Sequence, residues 1–241
     1  MAPILRLEHV EKSFGALKVI DDLSLAVEAG EALGILGPNG AGKTTLFNLV
    51  AGDLGVDAGA IHFDGRDISR MPAYARCRLG IGRTYQIPHP FGAMSVFENL
   101  LAGAAFGAGR RETECYDRCV ELLTLTHLMR QANQPAGSLT LLERKRLELA
   151  RALATAPKLL LLDEIAGGLT DSECQELIDT VRAVHASGVS IVWIEHIVHA
   201  LIAVVNRLFV VNFGQKLAEG PPRMVMEDPA VQEVYMGIEA E

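Results

Sequence analysis

Apolar and polar residues alternate along Ile4 to Val10 and again along Leu17 to Val27, the two-residue period of strands that bury one face. Ala60 to Phe63 adds a third such run, and Gly30 and Gly65 punctuate turns, so the chain opens as an antiparallel β-rich unit. The pattern then changes. Ala32 to Leu36, Gly80 to Tyr85, Leu159 to Asp163, Val189 to Ile194 and Leu208 to Val211 are short, mostly apolar runs separated by helical segments, which predicts a parallel sheet. Between Pro88 and Gly137 no strand pattern occurs, while Val96 to Ala105 and Glu112 to Met129 have helical spacing. The expected fold class is α/β: a parallel-sheet core, an antiparallel β subdomain and a helical insertion subdomain.

One polar interruption carries chemistry. Gly37-Pro38-Asn39-Gly40-Ala41-Gly42-Lys43-Thr44 fits G-x-x-x-x-G-K-S/T between an apolar strand and a helical run, Thr45 to Ala51. Glycines let the backbone curl so that successive N–H groups point at phosphate oxygens, and the helix that follows adds its positive end to the same anion. Lys43 is expected to reach the β- and γ-phosphates, and the Thr44 hydroxyl to ligate Mg²⁺. Gly37, Asn39, Gly40, Gly42, Lys43, Thr44 and Thr45 are therefore the candidate nucleotide-binding residues. The core is then a phosphate-loop ATPase core, and residues 1–241 divide into 1–87 with 157–241, the core and its β subdomain, and 88–156, the helical subdomain.

Leu159-Leu160-Leu161-Leu162-Asp163-Glu164 is too short an apolar run for much except a buried strand, and it ends in two adjacent carboxylates. Such a run delivers acids to the carboxyl edge of a parallel sheet, where ligands bind. Asp163 would hold Mg²⁺ and Glu164 would polarise the water that attacks the γ-phosphate; the bland alternative is that both acids cap the next turn. Ile191-Val192-Trp193-Ile194-Glu195-His196 repeats the arrangement, with His196 within reach of the γ-phosphate or serving only as a satisfied polar residue.

Composition narrows the class. The chain has 241 residues, 49% of them hydrophobic, enough for a sizeable core. A net charge of −8 argues against a nucleic-acid partner, which would call for a basic stripe. Cys77, Cys115, Cys119 and Cys174 lack C-x-x-C spacing; Cys115 and Cys119 are expected on one face of one helix, as reduced thiols. The opening residues have no signal-peptide pattern, and the apolar tract from Ile191 to Val211 is broken by Glu195, His196, His199, Asn206 and Arg207. Any membrane role is therefore expected to come through a partner.

These elements, in this order, resemble the ATP-binding subunits of ABC transporters over nearly the whole chain. The resemblance implies ATP and Mg²⁺ as ligands, and ATP hydrolysis coupled to transport. It implies that Phe14, in Lys12-Ser13-Phe14-Gly15, stacks on adenine, with strand-core packing as the alternative. It also implies that Gln86 senses Mg²⁺ and the membrane-domain contact, that His196 is a switch histidine, and that Glu164 and His196 are the catalytic pair. Transmembrane permease subunits, a second ATPase subunit (a paralogue or a second copy) and, indirectly, a solute-binding protein follow as partners. The implied location is peripheral, on the cytoplasmic face of the cell membrane. Arg83-Thr84-Tyr85-Gln86, Phe97-Glu98-Asn99, Ile194-Glu195-His196 and the closing segment from Pro229-Ala230-Val231 to Tyr235-Met236-Gly237 look most like importers of branched-chain amino acids or related small solutes. Lipid or lipopolysaccharide export, or a regulatory subunit with weak hydrolysis, are the alternatives.

The departures are specific. Where the family carries a segment close to L-S-G-G-Q, this chain has Leu139-Thr140-Leu141-Leu142-Glu143. In the family that segment contacts the γ-phosphate of ATP held by the opposite subunit, a role that would fall to Thr140, Leu142 and Glu143. Leu142 would obstruct the approach that glycine allows. Thr140-x-x-Glu143 is also a capping box, so Glu143 is expected either to fold back onto the helix start or to face phosphate. After Glu164 the family commonly has proline, whereas Ile165 stands here, and Gly167-Gly168-Leu169 ends in Thr170 rather than Asp.

Overall fold

A computed structural model describes the backbone of residues 3–239 and the side chains of residues 3–234. The side chains of Tyr235 and Met236 and the details of Gly237, part of the closing segment singled out above, lie outside the described residues. Strands β1 (Leu5–Phe14) and β2 (Leu17–Val27) lead into β3 (Ala32–Leu36), and helix α1 (Lys43–Ala51) follows the glycine-rich loop. Next come β4 (Ala58–Phe63), β5 (Arg66–Asp67), α2 (Ala73–Leu79) and β6 (Ile81–Arg83). A helical stretch holds α3 (Val96–Ala102), α4 (Tyr116–Leu125) and α5 (Leu141–Ala154). The chain returns to the sheet through β7 (Leu159–Asp163), α6 (Asp171–Ala186), β8 (Ser190–Ile194), α7 (Val198–Ile202) and β9 (Arg207–Asn212), and closes with β10 (Gln215–Gly220), α8 (Pro222–Met226) and α9 (Pro229–Glu239).

These strands form two sheets. The four-stranded one, ordered β2-β1-β4-β5, is antiparallel. The six-stranded one, ordered β10-β9-β3-β8-β7-β6, is parallel except for its β10 edge. Near-continuous apolar runs belong in a parallel sheet because both faces are covered. Alternate residues go to opposite cores: Leu160, Leu162, Ile191 and Trp193 pack with α3 to α7, while Leu159, Leu161, Val192 and Ile194 pack with α1 and the antiparallel sheet. Each fully buried leucine of this kind contributes about 2 kcal/mol relative to exposure. The consequence is a rigid floor whose carboxyl edge carries the loops after β3, β7 and β8.

Two expectations are corrected in detail. The helix expected over Glu112 to Met129 is α4 alone, flanked by 3-10 turns at Glu112–Glu114 and Met129–Gln131. It stops because His127 is left-handed (φ 58°), Thr126 Oγ1 donates to the Leu122 carbonyl, and the Leu128 N–H reaches back to Leu123. The helix from Val96 narrows to α3, after which Gly103–Gly107 forms a π-helical turn. Strand β10 had no apolar alternation to betray it, since it is a half-exposed edge strand returned by the hairpin at Phe213 and Gly214. Cys115 and Cys119 are both buried, Cys119 in α4 and Cys115 at its N-cap, and their thiols are free.

Candidate functional site

The loop after strand β3 must turn sharply into α1, and Gly42, at the N-cap of that helix, makes the turn possible. It adopts φ 102°, and a Cβ there would lie 2.8 Å from both the Ile20 side chain and the Val19 carbonyl. The loop therefore packs against β2 as tightly as a residue without a side chain allows. No side chain caps the start of α1, so its first N–H groups remain open for an anion. Lys43 is only 5% exposed, and its ammonium donates to the carbonyls of Gly37 (2.7 Å) and Pro38 (2.9 Å). Burial pushes the Lys43 pKa down, opposed by the carboxylates of Glu164 and Asp163. A cavity of about 320 Å³ is lined by Asn39, Gly40, Lys43, Thr44, Thr45 and Glu164, with Leu17 and Val19 closing one side. Open helix-start donors, a lysine and a hydroxyl beside two acids form a donor set that fits a polyphosphate with its divalent cation.

Strand β7 places Asp163 at the buried edge of this site and Glu164 just beyond it. Asp163 is 3% exposed; its Oδ2 accepts from Arg83 Nη2 at 3.1 Å, and its N–H donates to Thr84 Oγ1. Burial raises the Asp163 pKa and the Arg83 guanidinium opposes the rise. Arg83 is held in turn by Asn48 (2.6 Å) and Asp53 (2.9 Å), so one cation joins α1, β6 and β7. Glu164 adopts a left-handed backbone (φ 48°), which costs on the order of 1 kcal/mol outside glycine. That turn swings its carboxylate between Gln86, whose amide Nε2 donates to Oε2, and His196, whose Nε2 lies 2.7 Å from Oε1. Gln86, Glu164 and His196, distant in sequence, thus meet around one carboxylate.

Phe14 is 48% exposed, which removes core packing as its explanation, but it does not line the cavity; Lys12 Nζ lies 5.8 Å from its ring. The Thr140 segment does not line the cavity either. The Glu143 carboxylate is committed to the helix start: it accepts the Thr140 N–H at 2.8 Å and the Gln131 amide at 2.7 Å. Of the two expectations for Glu143, the capping box is the one this geometry contains. Leu142 requires a correction. It is 9% exposed and turned inward, whereas Leu141 is 46% exposed, so Leu141 is the bulky residue presented outward. Thr170 and Glu173 form a second capping box at the start of α6.

Three charged residues received no role from the sequence. Arg83 was visible only as the neighbour of Thr84-Tyr85-Gln86. Glu195 is a buried acid at a strand end, the same signal that exposed Asp163, and it accepts the N–H of Ala166 at 2.6 Å. Lys145, 4% exposed, donates to the Glu164 carbonyl at 3.3 Å.

A family model described as "ABC transporter" matches residues 20–167, and one described as "Branched-chain amino acid ATP-binding cassette transporter" matches residues 215–241. The chain is 36% identical over 233 residues to the lipopolysaccharide export system ATP-binding protein LptB of Escherichia coli (strain K12), covering 97% of both. It is 37% identical over 230 residues to a probable ABC transporter ATP-binding protein of Azorhizobium caulinodans, covering 95% of this chain and 81% of that one. Its fold superposes on an ATP-binding cassette of an ABC transporter in its ADP conformation with a TM-score of 0.90 at 32% identity, over 98% of this chain and 100% of that one. A nucleotide-free cassette gives a TM-score of 0.88 at 32% identity, over 97% and 98%.

Proposed function

Because the chain belongs to the ABC transporter family, as an ATP-binding subunit, we propose that it powers an importer of branched-chain amino acids or related small solutes. It is an ATPase whose ligands are ATP and Mg²⁺. In the proposed arrangement Lys43 and the open N–H groups at the start of α1 bind the β- and γ-phosphates, and Phe14 stacks on adenine. Thr44, Asp163 and Gln86 would hold the cation, which would supply charge neutralisation to the phosphates. Glu164, oriented between Gln86 and His196, takes the proton of the attacking water, and His196 senses the γ-phosphate.

What supports the importer reading is the match of residues 215–241 to the branched-chain cassette family. The likeness to LptB over 97% of the chain favours a second reading, export of a lipopolysaccharide or related lipid. No helix among the described residues is long and apolar enough to cross a membrane, so attachment to a transporter runs through permease subunits. The groove proposed to receive them lies beside Gln86, where Tyr74, Arg83, Tyr85, Glu148 and Arg151 line a cavity of about 300 Å³. The altered segment at Thr140 bears on the second ATPase. Two copies of this chain would present Leu141 at both shared ATP sites, whereas a paralogue with a glycine-containing segment completes one well-built site, so a heterodimer is the proposed pairing.

Affinity purification of the tagged chain from detergent-solubilised membranes tests this reading. We expect permease subunits and a second ATPase to co-purify, with reconstituted vesicles moving a small solute inward from a solute-binding protein. Lipid extraction by the same complex, with no solute uptake, would replace the importer by the exporter. Recovery of the chain without any membrane protein would reject both.

A further inference from the structure

Glu195 and Lys145 are 2% and 4% exposed, and neither has a part in the phosphate or cation contacts described above. Burying an ion costs several kcal/mol unless it is paired or richly hydrogen-bonded, so two buried ions in one place need a structural reason. The backbone provides it. One oxygen of the Glu195 carboxylate accepts the Ala166 N–H at 2.6 Å and the other accepts the His196 N–H at 3.1 Å. The Lys145 ammonium donates to the Glu164 carbonyl at 3.3 Å, and the Glu164 N–H donates to the Ile194 carbonyl at 2.9 Å.

Glu164 is thus gripped on three sides while it holds a left-handed backbone that an unrestrained glutamate would leave. The N–H two residues later is held by Glu195, its carbonyl by Lys145, and its own N–H by Ile194, the last residue of β8 and the neighbour of Glu195. The same Glu195 fixes the backbone of His196, whose ring meets the Glu164 carboxylate at 2.7 Å. Charge attraction between Lys145 and Glu195 favours the ionised form of each against burial.

We propose that Glu195 and Lys145 form a positioning pair that sets the Glu164 turn against His196 and ties both to α5. Lys145 lies one turn into the helix whose start is the Thr140 capping box, the segment that the family presents to the opposite subunit. A shift of α5 therefore moves the Glu164 carbonyl with it. Arg151, two turns further along, donates to the His89 carbonyl at 2.9 Å, so α5 also grips the loop that carries Gln86. The pair belongs to neither ligand and acts through the backbone of Glu164 and His196, the two residues to which the proposed function gives the water and the γ-phosphate. This inference rests on the proposed roles of Glu164 and His196.

The test is steady-state ATP hydrolysis by the assembled transporter, with kcat and KM for MgATP measured separately. Glu195→Gln keeps the side-chain shape but replaces an accepting oxygen by an N–H₂ group facing an N–H. Lys145→Met keeps the length and removes the donor. We expect each to lower kcat roughly 10- to 100-fold with KM changed less than about twofold, because phosphate contacts are untouched. The double variant should fall no further than the worse single one, since both act on one turn. Parental kcat in either variant, or losses that multiply in the double variant, would overturn the pair. Should Glu195→Gln not fold, Lys145→Met decides, with kcat referred to the fraction of subunits that bind MgATP by calorimetric titration, since unfolded chains lower the apparent kcat at constant KM but also lower that fraction. Glu164→Gln serves as control: its full activity would overturn the role of Glu164 itself, whereas an inactive control beside active pair variants would overturn the pair alone.

Discussion

Glu164→Gln in the assembled transporter should keep ATP affinity and lose between about 10²- and 10⁴-fold in kcat, roughly 3–5 kcal/mol of barrier. The amide keeps the volume of the carboxylate and removes its basicity. No phosphate contact should be lost, because the proposed ones come from Lys43 and the start of α1. The carboxylate is where donors converge: the Gln86 amide on one oxygen and His196 Nε2 at 2.7 Å from the other. With chemistry blocked and ATP retained, the closed, ATP-bound dimer should accumulate. Single-turnover hydrolysis of MgATP by the assembled transporter gives the rate, and size-exclusion chromatography of the ATPase subunits free of the permease gives the dimer. Hydrolysis at the parental rate would mean that another group activates the water.

Lys43→Ala should weaken MgATP binding by more than about 100-fold. Charge-assisted hydrogen bonds to phosphate oxygens contribute about 1.5–3 kcal/mol each, and an ammonium makes more than one. The fold should survive, because Lys43 at present satisfies only the carbonyls of Gly37 and Pro38, at the edge of a cavity that water can enter. Calorimetric titration measures the affinity and thermal unfolding checks the fold. Unchanged affinity in a folded variant would remove the phosphate-loop assignment.

Where a residue's surroundings come from its own segment, the sequence was readable. Leu159 to Asp163 forms the strand its apolar run predicts, with the acids at the sheet edge, and the Thr140 box closes as its spacing predicts. Residues whose partners are remote were not readable. Lys145 sits in Glu143-Arg144-Lys145-Arg146, which looks like a solvated helix face, until folding brings it beside a carbonyl 19 residues away. Glu195 meets an N–H 29 residues away, and Arg83 meets Asp163 80 residues away. The exchange of Leu142 for Leu141 has the same origin. Two adjacent leucines after a cap are equivalent in composition, and only the packing of α5 decides which one turns inward. Edge strand β10 escaped because an exposed edge needs no apolar alternation.

The central claim is that the site built from Lys43, Asp163, Glu164 and His196 hydrolyses ATP when another chain completes it. The most direct measurement is the ATPase rate of the purified chain alone against that of the native complex, with and without Leu141→Gly/Leu142→Gly/Glu143→Gln in this chain. The account predicts that the isolated chain runs at least about 100-fold slower than the complex, the size of one lost set of transition-state donors, and that the triple variant speeds the isolated chain. An isolated chain that matches the complex, with no change in the triple variant, would contradict it.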